Sequence, residues 1–157
     1  MQRSDDELTQ CNLDLMETAG AVYLTTIGSG GFPQTRAMLN LRNKKQFPSL
    51  SESFKGHNKD LLAYLTTNTA SAKMTQIQAN PKVSLYFCNP NQFHGLTLIG
   101  EIEIIADSAI KRQLWQVGWE RYYPIGVDDP DYSILCLVPT QAKGWYESAL
   151  FEFDLSS

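Results

Sequence analysis

Histidine and cysteine are scarce in this chain, with two of the first and three of the second among 157 residues. A protein-built zinc centre needs three or four nitrogen, sulfur or oxygen ligands close together. Here His57 and His94 stand far apart, and Cys11, Cys88 and Cys136 follow no CxxC spacing. Metal catalysis is therefore not expected, and the odd, dispersed cysteines fit reduced thiols in a cytoplasmic protein. Each lies among apolar neighbours and reads as a small core residue. No GxSxG elbow accompanies the histidines, which leaves a serine nucleophile with a histidine base unsupported.

A surplus of positive charge is also missing. Thirteen Lys and Arg face seventeen Asp and Glu, for a net charge of −4, and no basic run exceeds Lys44-Lys45. The electrostatic footprint of a nucleic-acid binder is absent. No apolar stretch approaches the roughly 20 residues of a membrane span. Asp5, Asp6 and Glu7 stand where a secretory signal would be apolar. The expectation is one soluble, cytoplasmic domain spanning residues 1–157, large enough to bury a core without disulfide or metal staples. The glycine cluster Gly28-Ser29-Gly30-Gly31-Phe32-Pro33 is not GxGxxG, and its proline would cut short the helix that fingerprint needs.

What is present is alternating strand pattern broken by a few helices. Ser4 to Glu7 has the spacing of a capping box, and Leu8, Cys11 and Leu15 recur at helical intervals before Gly20, predicting a helix over 5–18. Residues 21–27 and 34–41 read as a β-hairpin, with Ala37, Leu39 and Leu41 on one face and Arg36, Met38, Asn40 and Arg42 on the other. After an irregular stretch, strands are expected over 61–66, 83–87 and 96–105, with Gly100 allowing a bend. Asp107 or Ser108 caps a helix that carries Leu114, Trp115, Trp119 and Tyr122 and ends at Pro124. The acidic cluster Asp128-Asp129-Pro130-Asp131 lacks EF-hand spacing and reads as a solvated turn. Residues 132–138 and 142–146 look like a pair of strands, with 151–155 a further one. Hairpin-linked strands with few helices imply an antiparallel α+β fold and a barrel.

The segment most suggestive of chemistry is Thr66-Thr67-Asn68-Thr69 followed by a helix over 70–80. Hydroxyls end a strand there, and Ser71 and Lys73 open a helix whose first N–H groups and positive dipole end are free for an anion. In the simpler alternative, Thr69 or Ser71 is an N-cap and Lys73 a solvated lysine. Arg36, Thr67, Ser71 and Lys73 could converge on one phosphate. Otherwise Arg36 is an exposed strand arginine paired with a carboxylate.

Pro33-Gln34-Thr35-Arg36-Ala37-Met38, the stretch from Thr66 through Ser71, Lys73, Asn80 and Pro81 to Phe87, and Leu98-Ile99-Gly100 resemble the FMN-binding split barrel of the pyridoxamine 5′-phosphate oxidase family. Tyr122-Tyr123-Pro124-Ile125-Gly126, Pro130-Asp131-Tyr132 and Gly144-Trp145 are most similar to its general stress protein 26 branch. The resemblance implies a six-stranded antiparallel split β-barrel with flanking helices, and a homodimer holding FMN between subunits, FAD or another flavin being the alternative. It implies that Arg36, Ser71 and Lys73 hold the phosphate. Thr66 and Thr67 would line the site, and the backbone of Ala37, Met38 and Leu39 would lie against the isoalloxazine ring. Trp145 would be either a ring contact or a core aromatic. Ala72 stands where the vitamin-making oxidases carry an arginine, and their C-terminal Arg-x-His is missing, so pyridoxamine phosphate oxidation is not expected. The functional readings are a flavin-dependent oxidoreductase or a non-enzymatic flavin-binding stress protein. A haem-handling barrel would need His57 or His94 as its ligand.

Overall fold

The structure is a computed structural model that describes residues 3–56 and 58–156. Helix α1 runs Asp5–Thr18, as its capping box dictates: the Ser4 hydroxyl accepts from the Glu7 N–H, and three acids face the positive end of the helix dipole. Strands β1 (Val22–Ile27) and β2 (Pro33–Met38) form the expected antiparallel hairpin, with Leu24 opposite Arg36. The second strand stops at Met38, earlier than its alternation suggests. The Asn40 carboxamide turns inward instead and donates to the Met16 and Ala19 carbonyls at the end of α1 (2.8 and 2.9 Å). Buried carbonyls at a helix end need such donors, and that need overrides strand continuation.

Next come β3 (Ala63–Asn68), α2 (Ala72–Ala79), β4 (Lys82–Asn89), β5 (His94–Ile105), α3 (Ser108–Leu114), β6 (Tyr132–Leu137), β7 (Gln141–Tyr146) and β8 (Ala149–Asp154). All pairings are antiparallel, and six strands follow the path β2-β1-β4-β5-β6-β3. The fold is α+β, a curled antiparallel split barrel with helices at its flanks. The expected pairing of 132–138 with 142–146 does not form. One edge of β5 is divided between them: His94 to Ile99 pair with β7, Ile102 to Ile105 with β6, and β8 completes a hairpin on β7. The strand changes partner around Gly100, where a Cβ would come within 3.0 Å of the Leu137 side chain. That is the bend its glycine permits.

The main core fills the barrel with Val22, Leu24, Leu85, Leu96 and Leu98, closed by Leu15 and Met16 of α1. A second core gathers Phe54, Trp119, Tyr123 and Tyr132 against Leu41 and Leu114. It accounts for the early end of α3. The helix stops at Leu114, and Gly118 (φ 97) reverses the chain into a single 3-10 turn. Trp115 and Tyr132 thereby meet edge to face at 5.1 Å, and Tyr123 reaches Tyr132 at 5.0 Å. Of the cysteines only Cys136 is buried; Cys11 and Cys88 are half-buried. No helix among the described residues is long and apolar enough to cross a membrane.

His94 belongs to the scaffold. It is buried, its Nε2 lies 2.7 Å from the Asn12 Oδ1 on α1, and its ring meets Tyr146 edge to face at 4.4 Å. Burial pushes its imidazole down to about 4, against roughly 6.5 in an unfolded chain. Between those values the unfolded chain binds a proton that the folded protein refuses, so stability is full above the upper value and declines as pH falls toward the lower. Urea midpoints measured from pH 7 to 4.5 should fall more steeply for the native chain than for His94→Gln; equal slopes would contradict this.

Candidate functional site

The two ends of the six-strand path meet at a cleft. The last turn of β2 contributes Ala37 and Met38, followed by Leu39, and the end of β3 contributes Thr66, Thr67 and Asn68. Lys73, in the first turn of α2, closes one end of this roughly 440 Å³ space, and Tyr122 and Tyr123 wall another side. Thr67 is buried, and its hydroxyl accepts from the Lys73 ammonium at 2.9 Å. Burial, and after it the charge of Arg36, lowers the Lys73 pKa. No carboxylate lines the cleft among the described residues, so this acidic protein leaves a half-buried cation in the cleft with no acid beside it.

Ser71 occupies the N-cap position of α2 with extended backbone, yet its side chain makes no capping bond. Its hydroxyl is buried and unpartnered. The backbone N–H groups before it are engaged: Thr69 donates to the Asp131 carbonyl, Ala70 to the Asp131 carboxylate and Ser71 to the Asn68 carbonyl. The first turn of the helix, with Ala72 and Lys73, has no intrahelical acceptor of its own.

Arg36 stands behind this end of the cleft. Its guanidinium donates to the Thr26 hydroxyl (2.7 Å), the Gln34 carbonyl (3.1 Å) and the Gln76 side chain (3.1 Å). No carboxylate pairs with it among the described residues. The expected surface ion pair is therefore not what holds Arg36, whose charge instead adds to the field around Lys73.

Trp145 is elsewhere in the chain. It sits on β7 in a second groove, of about 570 Å³, with Tyr86, Gly95 and Leu150. Four strand spacings separate β7 from β2 along the sheet, on the order of 19 Å. One copy of the chain does not bring Trp145 to the cleft. His94 is committed to Asn12, and His57 lies outside the described residues. No cluster of three metal-ligating side chains occurs among the described residues.

Two cleft residues escaped the sequence reading. The helical period predicts one continuous helix through Tyr122 and Tyr123 up to Pro124, and the Tyr123 hydroxyl instead lies 2.8 Å from that of Thr66. Gly118 was the available signal, since a glycine four residues before a Tyr-Tyr-Pro is a place for a helix to stop. The acidic turn is also more than a solvated loop. Asp129 is buried and accepts from the Ile125 and Asp131 N–H groups, while Asp131 reaches the loop before α2.

Comparison with known proteins gives a match between residues 8–146 and the family described as pyridoxamine 5′-phosphate oxidase. The chain belongs to the pyridoxamine 5′-phosphate oxidase family. Within the same split-barrel fold it is similar to a solved Clostridium acetobutylicum protein related to general stress protein 26. The two are 32% identical over 97% of each chain, with a TM-score of 0.77. It also resembles the general stress protein 26 of Bacillus anthracis, at 18% identity over 94% of this chain and 99% of that one, TM-score 0.69. A Nostoc punctiforme protein described as pyridoxamine 5′-phosphate oxidase-related and FMN binding matches at 19% identity over 90% and 81%, TM-score 0.52. No curated protein matches.

The coupling between Arg36 and Lys73 can be measured directly. In Arg36→Met the like charge is gone while burial remains, so the Lys73 ammonium should titrate at higher pH, still short of a free lysine. Carbon-13 NMR of labelled lysine side chains reads this shift; a Lys73 resonance with an unchanged midpoint would show that the two cations do not sense each other.

Proposed function

We propose that the chain is an FMN-binding flavoprotein, an oxidoreductase of unassigned substrate acting as a homodimer with the cofactor between subunits. The observation that carries the reading is the Lys73 ammonium in a carboxylate-free cleft, two residues along the chain from the buried, unpartnered Ser71 hydroxyl. A phosphomonoester supplies what both groups lack. Lys73, Ser71 and the first-turn N–H groups of α2 would hold it, with Arg36 reinforcing the field from behind. Thr66 and Thr67 would line the middle of the cleft, and the backbone of Ala37, Met38 and Leu39 the face of the ring. A single cationic end suits FMN better than the longer pyrophosphate tail of FAD. Ala72 offers no second charge beside Lys73, so anchoring rests mainly on one ammonium.

The dimer accounts for two further features. Tyr23, Tyr86, Trp145 and Leu150 project from the outer face of the sheet and are each more than a third exposed, while Leu24, Leu85 and Leu96 point into the barrel. A second copy laid on that face would cover them and could bring its Trp145 to the cofactor.

When bound, the flavin supplies hydride or electron transfer. The chain's part is to bind the tail, orient the ring and exclude water. A non-enzymatic reading, a stress protein that sequesters or senses flavin, draws on the cleft's poverty in proton-transfer groups. Its lining holds no histidine, cysteine or carboxylate, and its dissociable protons belong to Lys73, Tyr122 and Tyr123.

Titration of the protein into FMN and riboflavin, followed by flavin fluorescence, tests the proposal. The native chain should prefer FMN. Lys73→Ala should lose about tenfold to a hundredfold in FMN affinity, the worth of one charged hydrogen bond, with riboflavin affinity unchanged. Equal losses for both flavins, or no FMN binding by the native chain, would refute the phosphate assignment.

A further inference from the structure

The loop Thr69 to Ser71 carries the candidate phosphate end of the cleft but belongs to no regular element, so something must fix it. The β3–β6 ladder ends at the pair Asn68 and Tyr132. Beyond it, hydrogen bonding continues onto the acidic turn, most of it onto one residue, Asp131. The Thr69 N–H donates to the Asp131 carbonyl at 2.8 Å, the Ala70 N–H to the Asp131 Oδ1 at 3.1 Å, and the Asn68 carboxamide to the Asp131 Oδ2. The Thr69 side chain adds a bond to the Pro130 carbonyl at 2.9 Å and lies 2.6 Å from the Ser133 hydroxyl. The turn is braced from within, because the buried Asp129 carboxylate accepts from the Ile125 and Asp131 N–H groups.

This arrangement is unusual for an anion site. A carboxylate close to a bound phosphate would ordinarily repel it, yet Asp131 accepts hydrogen bonds from the very loop that leads into α2. Its neighbour Asp128 differs: it faces outward and pairs with Arg112 at 2.7 Å. The same turn therefore holds one acid bound to the loop and one engaged elsewhere.

We propose that Asp131 is the positioning residue of the anion end of the cleft. By occupying the Ala70 N–H and orienting Asn68, it fixes the path of the loop. Ser71 is thereby left with its hydroxyl inward, and the first turn of α2 is presented to the ligand. Asp131 does not touch the phosphate. The inference deepens the FMN-binding reading and rests on it.

Two opposite signs separate this role from a merely electrostatic one. If Asp131 positions the loop, Asp131→Ala loses FMN affinity by about fivefold or more, the worth of one capping-type bond, while riboflavin affinity holds. If Asp131 only repels the phosphate, the same variant binds FMN more tightly. Asp128→Asn removes a like charge from the same turn without touching the loop, and its ratio of FMN to riboflavin affinity should equal that of the native chain. Asp131→Asn keeps one carbonyl oxygen for the Ala70 N–H and should fall between Asp131→Ala and the native protein; should the alanine variant not fold, a ratio below native in the asparagine variant carries the result. Fluorescence titration with FMN and riboflavin reads all four chains. A native-like or raised ratio in the Asp131 variants overturns the positioning role while FMN binding by the native chain still stands, and absence of native FMN binding removes both.

Discussion

The shared edge of β5 shapes everything downstream. A strand has only two edges, and with β4 on one of them the other must serve both β6 and β7. Because β6 takes the distal portion, the path continues to β3, curls with the sheet's twist and returns toward β2 without pairing to it. The cleft is that unclosed seam. A barrel closed by a β2–β3 ladder would have filled the space with backbone hydrogen bonds; the split leaves strand ends, a helix start and side chains facing a gap.

The seam acquires its chemistry from an imbalance of charge. The protein as a whole is acidic, but its cleft carries Lys73 with no acid beside it and Arg36 held behind by hydroxyl, carbonyl and amide oxygens. Neutral acceptors position a cation without cancelling its field, so the field stays available to a ligand. The cost is desolvation, visible as lowered proton affinity at both residues. Burying cations away from partners is unfavourable for folding alone, and it is intelligible if an anion completes them.

Local signals told most of the fold from residues alone. The capping box set the start of α1 and Gly20 its end, and Gly28 to Gly31 between alternating runs marked the β1–β2 hairpin. The change of partner along β5 was legible at Gly100, the one glycine of the expected strand 96–105. The failures are all tertiary. Nothing in the alternation of 34–41 says that Asn40 must satisfy two carbonyls of α1, and nothing local says that β6 and β7 share one edge of β5 instead of pairing with each other. The aromatic run from Trp115 to Tyr123 kept a helical period through a stretch that the second core folds into a tighter turn. For the cleft, Thr66, Thr67, Lys73 and Ala37 to Leu39 were nameable from a strand end, a helix start and family likeness, and the structure assembles them. Tyr123 and Asp131 were not, since each acts through a hydrogen bond to a residue more than fifty positions away.

The central claim is that this seam holds the phosphorylated tail of a flavin at the Lys73 end. A crystal structure of the protein grown with FMN tests it most directly. The account predicts density for the phosphate within hydrogen-bonding distance of the Lys73 Nζ and the Ser71 hydroxyl, with the ring running along Ala37 to Leu39. A flavin seated outside the seam, or one whose phosphate points toward Tyr122 and leaves Lys73 bonded only to Thr67, would contradict it.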